Sequence, residues 1–267
     1  MIGKPSLRVE TIAFHGAVSK ASRVVAAEVP IALIYDGGTE AVMMASPCDL
    51  EDFALGFSLN DHIISNREDL IGLDIVEVDR GIELRIALAS GVREGLVTRR
   101  RLRAGPVGCG LCGVESITEA LRPLPVIGSA VTLSSDEIVQ AMIDMTIMQA
   151  LNAQTRAVHA AALYISGQGV VLVREDVGRH NALDKLAGAL SRSGLQARDG
   201  AILITSRVSV EIVQKAAMMG APIIAAISAP TSLALEEATA VGITVVGIVR
   251  DDGLDVFTHG GRINHGT

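Results

Sequence analysis

Cys109 and Cys112, in the stretch GCGLCGVES, are two of only three cysteines in a chain of 267 residues, and glycines flank both. The i, i+3 spacing brings two sulfurs within reach of one atom, and the glycines let the backbone turn tightly and leave the thiols uncovered. That pattern serves sulfur chemistry or half of a metal site. Upstream lie Arg93, Arg99, Arg100, Arg101 and Arg103. Downstream, Ser116 and Glu119 have the capping-box spacing for a short helix that Pro123 must end. Positive charge on one side and a helix N-terminus on the other both favour thiolate over thiol, so these residues favour a reactive cysteine. A structural zinc site needs four ligands, and neither a second CxxC nor an HxxxH is present to complete one; no metal site is expected. Cys48, in ASPCDLEDF, is isolated from the pair and reads as a small core residue. The arginine run alone reads more simply as a solvated face or a loop for any polyanion.

A second set of candidate residues sits in three strand-to-helix turns. REDVGRHNALDK places Arg179 and His180 after the apolar run VVLV, TSRVSVE places Arg207, and SAPTSLALEE places Ser228 and Thr231. Each turn alone is adequately explained by helix capping. Three of them on one rim of a sheet, joined by two arginines, point to a phosphate-bearing ligand held at helix N-termini. The charged residues of helix 179 to 191, Asp184 and Lys185 among them, are expected on the side opposite the apolar stripe of Ala182, Leu183, Leu186, Ala187 and Leu190. Near the C-terminus, FTHGGR combines donors with two glycines that permit close approach to a nucleotide, with a frayed tail as the plain alternative. His159, at the start of its strand, reads as a satisfied core histidine.

The elements that must position these groups fall into two parts. Strands are expected over residues 8 to 14 and 23 to 35, with 41 to 45 returning as a hairpin partner, then a helix after Ser46-Pro47 and strands 75 to 78 and 82 to 88. This gives a small mixed α+β domain over residues 1 to 125, with the arginine run and CGLCG in a loop at its far edge. The segment Pro123-Leu124-Pro125 marks the boundary. Ser134 and Glu137 then form a capping box that opens a helix with Ile138, Met142, Met145 and Ile147 on its apolar side. Strands at 159 to 165, 170 to 174, 201 to 205, 223 to 227, 243 to 249 and 254 to 258 alternate with helices at 179 to 191, 209 to 219 and 231 to 240. Residues 126 to 267 therefore read as an α/β domain with a mostly parallel sheet covered by helices on both faces.

Composition narrows the functional classes. A formal net charge of −7 and a pI near 5.4 argue against general nucleic-acid binding, because basic charge is local here. Three cysteines give no even-numbered disulfide framework, and the N-terminus lacks a continuous apolar run of the signal-peptide kind. The uncharged stretch Ala216 to Leu235 is interrupted by glycine, proline and serine and reads as helix end, strand and turn. A cytoplasmic protein that neither crosses nor binds a membrane is expected.

With CGLCG, REDVGRHNALDK, SRVSVEIVQKA, SAPTSLA and FTHGGRI in view, the chain resembles the formate dehydrogenase accessory sulfurtransferase family (FdhD). The resemblance extends to EVPIALIYDG and SPCDLEDFALGF near the start. It implies a cytidine-deaminase-like larger domain and a homodimer. It further implies a sulfurtransferase that passes sulfur as a cysteine persulfide from a cysteine desulfurase to the bis(molybdopterin guanine dinucleotide) cofactor of formate dehydrogenase or a related molybdoenzyme. The dinucleotide is then a bound substrate, with no permanently bound cofactor. By position, Cys109 would carry the persulfide, Cys112 would assist, and Phe257, Thr258, His259, Gly260, Gly261 and Arg262 would form the cofactor-binding segment. The chain departs from the family pattern where Arg156, Ala157, His62 and Ser206 replace glycines and where the tail reads THGGR.

Two other readings share these residues. A non-catalytic molybdenum-cofactor-binding chaperone, with CxxC as a redox or structural pair, would use the rim without the thiolate. A zinc deaminase would need a glutamate two residues after His159, where the chain has Ala161, and a PCxxC later in the chain.

Overall fold

The computed structural model describes residues 3–103 and 123–265. β1 (Ser6–His15) and β2 (Ala17–Ala26) pair antiparallel about Gly16, whose φ of 79° is the left-handed turn that a hairpin tip needs, and form a two-stranded sheet of their own. The single strand expected over 23 to 35 is thus two strands. The chain breaks at Ala27, whose N–H donates to the Pro5 carbonyl at 2.9 Å, and resumes as β3 (Val29–Tyr35).

β4 (Gly38–Ala45), α1 (Leu50–Asn60), β5 (Leu70–Val78) and β6 (Gly81–Leu88) follow, and the strands form a sheet in the order β4-β3-β6-β5. On β3, Ile31, Leu33 and Tyr35 point into a core with Phe53 and Phe57 of α1, as period-2 alternation requires. The arginine run is not in a loop. Arg93 and Arg99 to Arg103 fall on α2 (Ser90–Arg103), which forms because Val92 and Leu96 repeat at i, i+4 and pack on this same core.

The larger part begins with β7 (Leu133–Ser134) and α3 (Ser135–Met148), opened by the expected capping box: Glu137 N–H donates to Ser134 Oγ at 3.1 Å, and Ser134 N–H donates to Glu137 Oε2 at 2.9 Å. Ile138, Met142 and Met145 are buried, whereas Ile147, expected beside them, is 78 % exposed. Then come α4 (Ala150–Thr155), β8 (His159–Ile165), β9 (Gly169–Asp176), α5 (Arg179–Ser193), β10 (Ala201–Ile204), α6 (Val210–Met218), β11 (Ile223–Ala226), α7 (Ser232–Val241), β12 (Thr244–Arg250), β13 (Gly253–Val256) and β14 (Ile263–Asn264). Six strands form one sheet in the order β13-β12-β11-β10-β8-β9. α5, α6 and α7 pack on one face and α3 on the other, so helices do cover both sides.

The sheet is mixed rather than mostly parallel. β9, β10, β11 and β12 run one way, but β8 lies between β9 and β10 in the opposite direction. Only β10 with β11 and β11 with β12 therefore pair in parallel. The short turn between β8 and β9 allows no crossover, so those two strands form a hairpin.

A seam between α1 and α5 joins the two parts. A β-carbon on Gly56 would lie 1.7 Å from the Asp184 carbonyl oxygen, and one on Gly188 would lie 1.9 Å from the Asp52 carbonyl oxygen, so the helices cross backbone to backbone. α1 covers the side of α5 expected to face solvent, and Asp184 and Lys185 are both 0 % exposed. Buried charge requires partners. Asp184 accepts from Lys215 Nζ at 2.6 and 2.7 Å and from Asn60 Nδ2 at 2.8 Å, while Lys185 Nζ meets Asp176 Oδ2 at 2.6 Å and the Ser46 carbonyl at 3.0 Å. Asp52, on α1, takes Arg174 Nε and Arg192 Nη1 at 2.8 Å each.

Candidate functional site

Four strands, β9 to β12, share one direction, and three of them lead into helices whose N-termini converge at one end of the sheet. Gly178, Ser209 and Thr231 are the N-cap residues of α5, α6 and α7, and none makes a side-chain capping bond. First-turn N–H groups without side-chain caps, together with helix dipoles, create a positive rim suited to an anion.

Five of the residues singled out from sequence lie on this rim. Arg179 opens α5, and its Nε is buried with no hydrogen-bond partner among the described residues. A guanidinium N–H held out of water without a partner is the kind of group that an anionic ligand satisfies. His180 Nε2 meets Glu211 Oε2 at 2.8 Å and lies 3.5 Å from Ser209 Oγ, which ties α5 to α6. The His180 bond holds the Glu211 carboxyl below its ordinary value against the opposing effect of burial. Arg207 is exposed on the turn after β10, held there as Ser206 Oγ donates to its carbonyl at 3.0 Å. Ser228 and Thr231 flank Pro230 before α7, and Thr231 N–H donates to the Val208 carbonyl at 3.0 Å.

His159, read from sequence as a core residue, also stands at this end, half-buried. Its Nδ1 lies 3.3 Å from Thr205 Oγ1, which already accepts from Ala160 N–H at 2.9 Å. Burial, and then the nearby Arg179, lower the His159 pKa and keep the ring neutral at pH 7. Ala161, where a zinc deaminase would carry its glutamate, is buried in the apolar core.

The tail residues divide. β13 runs against β12, so the chain after Val256 heads toward the opposite end of the sheet. Only the Phe257 ring stays near the rim residues: a β-carbon on Gly247 would lie 3.0 Å from Phe257 Cε2, 3.1 Å from the Ser228 carbonyl and 3.2 Å from Pro230 Cδ. Thr258 is buried, its Oγ1 donating to the Ile243 carbonyl at 2.7 Å and accepting from Val245 N–H at 2.9 Å. His259 Nε2 lies 3.0 Å from the Thr239 carbonyl, Gly260 and Gly261 are exposed, and Arg262 Nη1 donates to the Gly242 carbonyl at 2.8 Å and to Thr244 Oγ1 at 3.1 Å. Within one chain, His259 to Arg262 and the rim arginines are not brought together. Arg262 works as a clamp on backbone oxygens.

Two of the replaced glycines keep the glycine conformation. His62 and Arg156 have φ of 54° and 53°, left-handed values that a side chain adopts at some strain. Cys109 and Cys112 lie outside the described residues, which resume at residue 123.

The model of the FdhD/NarQ family matches residues 26–264. The chain belongs to the FdhD/NarQ family. Among its curated relatives, a sulfur carrier protein FdhD of Agrobacterium fabrum is 49 % identical over 250 residues, 93 % of this chain and 92 % of the relative. Another of the same description, from Brucella abortus, is 53 % identical over 245 residues, 91 % of each chain. A solved structure assigned as a formate dehydrogenase accessory protein, from Desulfotalea psychrophila, superposes with a TM-score of 0.74 at 25 % identity, covering 97 % of this chain and 99 % of the other. The FdhD/NarQ match takes in both parts of the fold, the seam and every rim residue.

Proposed function

We propose that this protein is a sulfur carrier for the maturation of formate dehydrogenase or a related molybdoenzyme, working as a cytoplasmic homodimer. Cys109 is its persulfide carrier. The Cys109 thiolate attacks the outer sulfur of a persulfide on a cysteine desulfurase; a new S–S bond forms at Cys109, and the donor cysteine leaves as a thiolate. The outer sulfur then leaves as hydrosulfide for the bis(molybdopterin guanine dinucleotide) cofactor. Cys112 assists release when its thiolate attacks the inner sulfur of Cys109: the persulfide S–S bond breaks, and the Cys109–Cys112 disulfide that forms supplies the two electrons. In its other role Cys112 stabilises the intermediate. The rim at Arg179, His180, Arg207, Ser228 and Thr231 holds the phosphates of that substrate, and Phe257 lies beside it. The hairpin followed by a parallel β10-β11-β12 run also supports a cytidine-deaminase-like larger domain, and the Pro123-Leu124-Pro125 segment supports a division there.

One observation carries this reading. A chain matched over 93 % of its length by a relative described as a sulfur carrier holds a glycine-flanked cysteine pair and a rim where a buried Arg179 nitrogen waits for an acceptor. Among the described residues, no helix is long and apolar enough to cross a membrane. The test is mass spectrometry of the 109 to 112 peptide after incubation with a cysteine desulfurase and cysteine. Wild-type protein gains one sulfur and Cys109→Ala gains none; an unchanged yield in the variant removes Cys109 from the mechanism. Arg179→Ala should still load sulfur while losing at least tenfold in affinity for a guanine dinucleotide.

A further inference from the structure

The β1-β2 ribbon has no role in the rim or the seam, and it begins before the segment that the family model matches. Its strands pair with no other strand among the described residues. An isolated two-stranded hairpin is marginally stable in water unless it packs on something. Here β2 passes α4, but the far half of one face is bare: Phe14 is 74 %, Ile12 66 % and Val18 66 % exposed. Phe14 and Val18 are cross-strand partners, as are Ile12 and Lys20, so the three apolar side chains form one patch at the tip. The face that carries this patch also holds Arg8, Lys20 and Glu10, with Arg23 on the other face, so it is net basic by one charge in a chain of net charge −7.

A surface of opposite character lies on the larger part. Between α3 and the β12-β13 turn runs a groove of about 710 Å³, continued by about 190 Å³ toward Ile227. Val139, Ile143 and Leu254 line it, and Asp136, Asp251 and Asp252 form its acidic lip. The apolar character continues along α3 to Ile147 and Met148, both exposed.

We infer that the ribbon of one protomer docks in the α3 groove of a second copy of this chain, reciprocally, so that two arms are exchanged across a two-fold axis. The apolar tip meets the apolar floor, and Arg8 and Lys20 meet the acidic lip. Ten residues per strand make an arm about 33 Å long and roughly 10 Å wide. The bare half of that face presents about 170 Å², so two arms and the two surfaces they cover remove on the order of 700 Å², the size of a weak, reversible interface. This assignment rests on the homodimeric reading above and names the surfaces that make it.

Sedimentation of the full chain at micromolar concentration tests it, with an arm variant (Phe14→Asp with Val18→Asp) and a groove variant (Asp251→Lys with Asp252→Lys). All four residues are exposed, and circular dichroism confirms that folding is retained. Wild type should sediment at twice 27.8 kDa, and each variant should dissociate at least 100-fold more readily. Mixing the two variants should restore a dimer, because that pair keeps one intact arm facing one intact groove. If either variant dimerises like wild type, or the mixture forms no mixed species by native mass spectrometry, arm exchange is wrong while the homodimer stands. A monomeric wild type overturns both, and neither outcome touches the persulfide result.

Discussion

Replacing Gly56 with alanine puts a methyl carbon 1.7 Å from the Asp184 carbonyl oxygen and 2.6 Å from Gly188 N. Non-bonded heavy atoms need about 3.5 Å. Both obstacles are backbone, so no rotamer change relieves the clash and α1 must retreat from α5 by roughly 1.5 to 2 Å. Overpacking of a well-filled interior costs about 1–3 kcal/mol. The same retreat stretches the Asn60 to Asp184 bond, 2.8 Å in the native seam, beyond hydrogen-bond range. A buried acceptor losing a donor adds about 1–3 kcal/mol. The sum is about 4 kcal/mol, which for a domain of this size lowers Tm by roughly 10 °C. Gly188→Ala should act similarly, because its methyl meets the Asp52 carbonyl oxygen at 1.9 Å. The double variant should lose much less than the sum, since one opening of the seam accommodates both methyl groups. Differential scanning calorimetry reads this directly, with Gly91→Ala as control because nothing lies within 4 Å of its β-carbon position. A Gly56→Ala protein melting within 2 °C of wild type, on the scale of about 3 °C per kcal/mol, would refute the backbone-to-backbone seam.

Two further outcomes follow from the polar groups. Lys215→Met removes the cation that holds Asp184 by both oxygens and should destabilise the protein by about 3–5 kcal/mol at pH 8, measured by urea denaturation. Burial already raises the Asp184 pKa, and without Lys215 it rises further, so the carboxyl takes up a proton on folding. That contribution is present at low pH and lost as pH rises, so the deficit should shrink at pH 5; a deficit independent of pH would count against the pairing. Glu137→Ala should cost about 1–2 kcal/mol at pH 7 by removing the capping box and the acceptor for Tyr164 and Ser166. The Glu137 pKa is lowered, first by the Ser134 backbone bond, so its stabilisation holds above the ordinary carboxylate range and fades as pH falls through it. Thermal melts of the two proteins should converge once the pH falls below the lowered Glu137 pKa.

Local chemistry can be read from local sequence. The capping box at Ser134 and Glu137, the alternation along β3, the helices opened at Arg179, Ser209 and Thr231, and the polar turns that make the rim all depend on residues within a few positions of each other. α2 was hidden because its arginines outweighed the two apolar residues, Val92 and Leu96, that seat it. His159 lacked a local signal: its partner Thr205 is 46 residues away.

The amino-acid order was enough to place a thiol pair between glycines, to assign the strands and helices of the larger part apart from β7, α4 and β14, and to collect the rim, because each depends on spacing along the chain. Other features emerged only once the chain was folded. Asp184 and Lys185 are buried because α1, some 125 residues earlier, crosses α5 on the side that α5's own periodicity leaves for solvent. β8 stands antiparallel between β9 and β10, and the tail runs away from the rim, because strand order and direction are set by which surfaces pack together. Period and propensity are properties of a segment; which face another segment covers is a property of the whole chain.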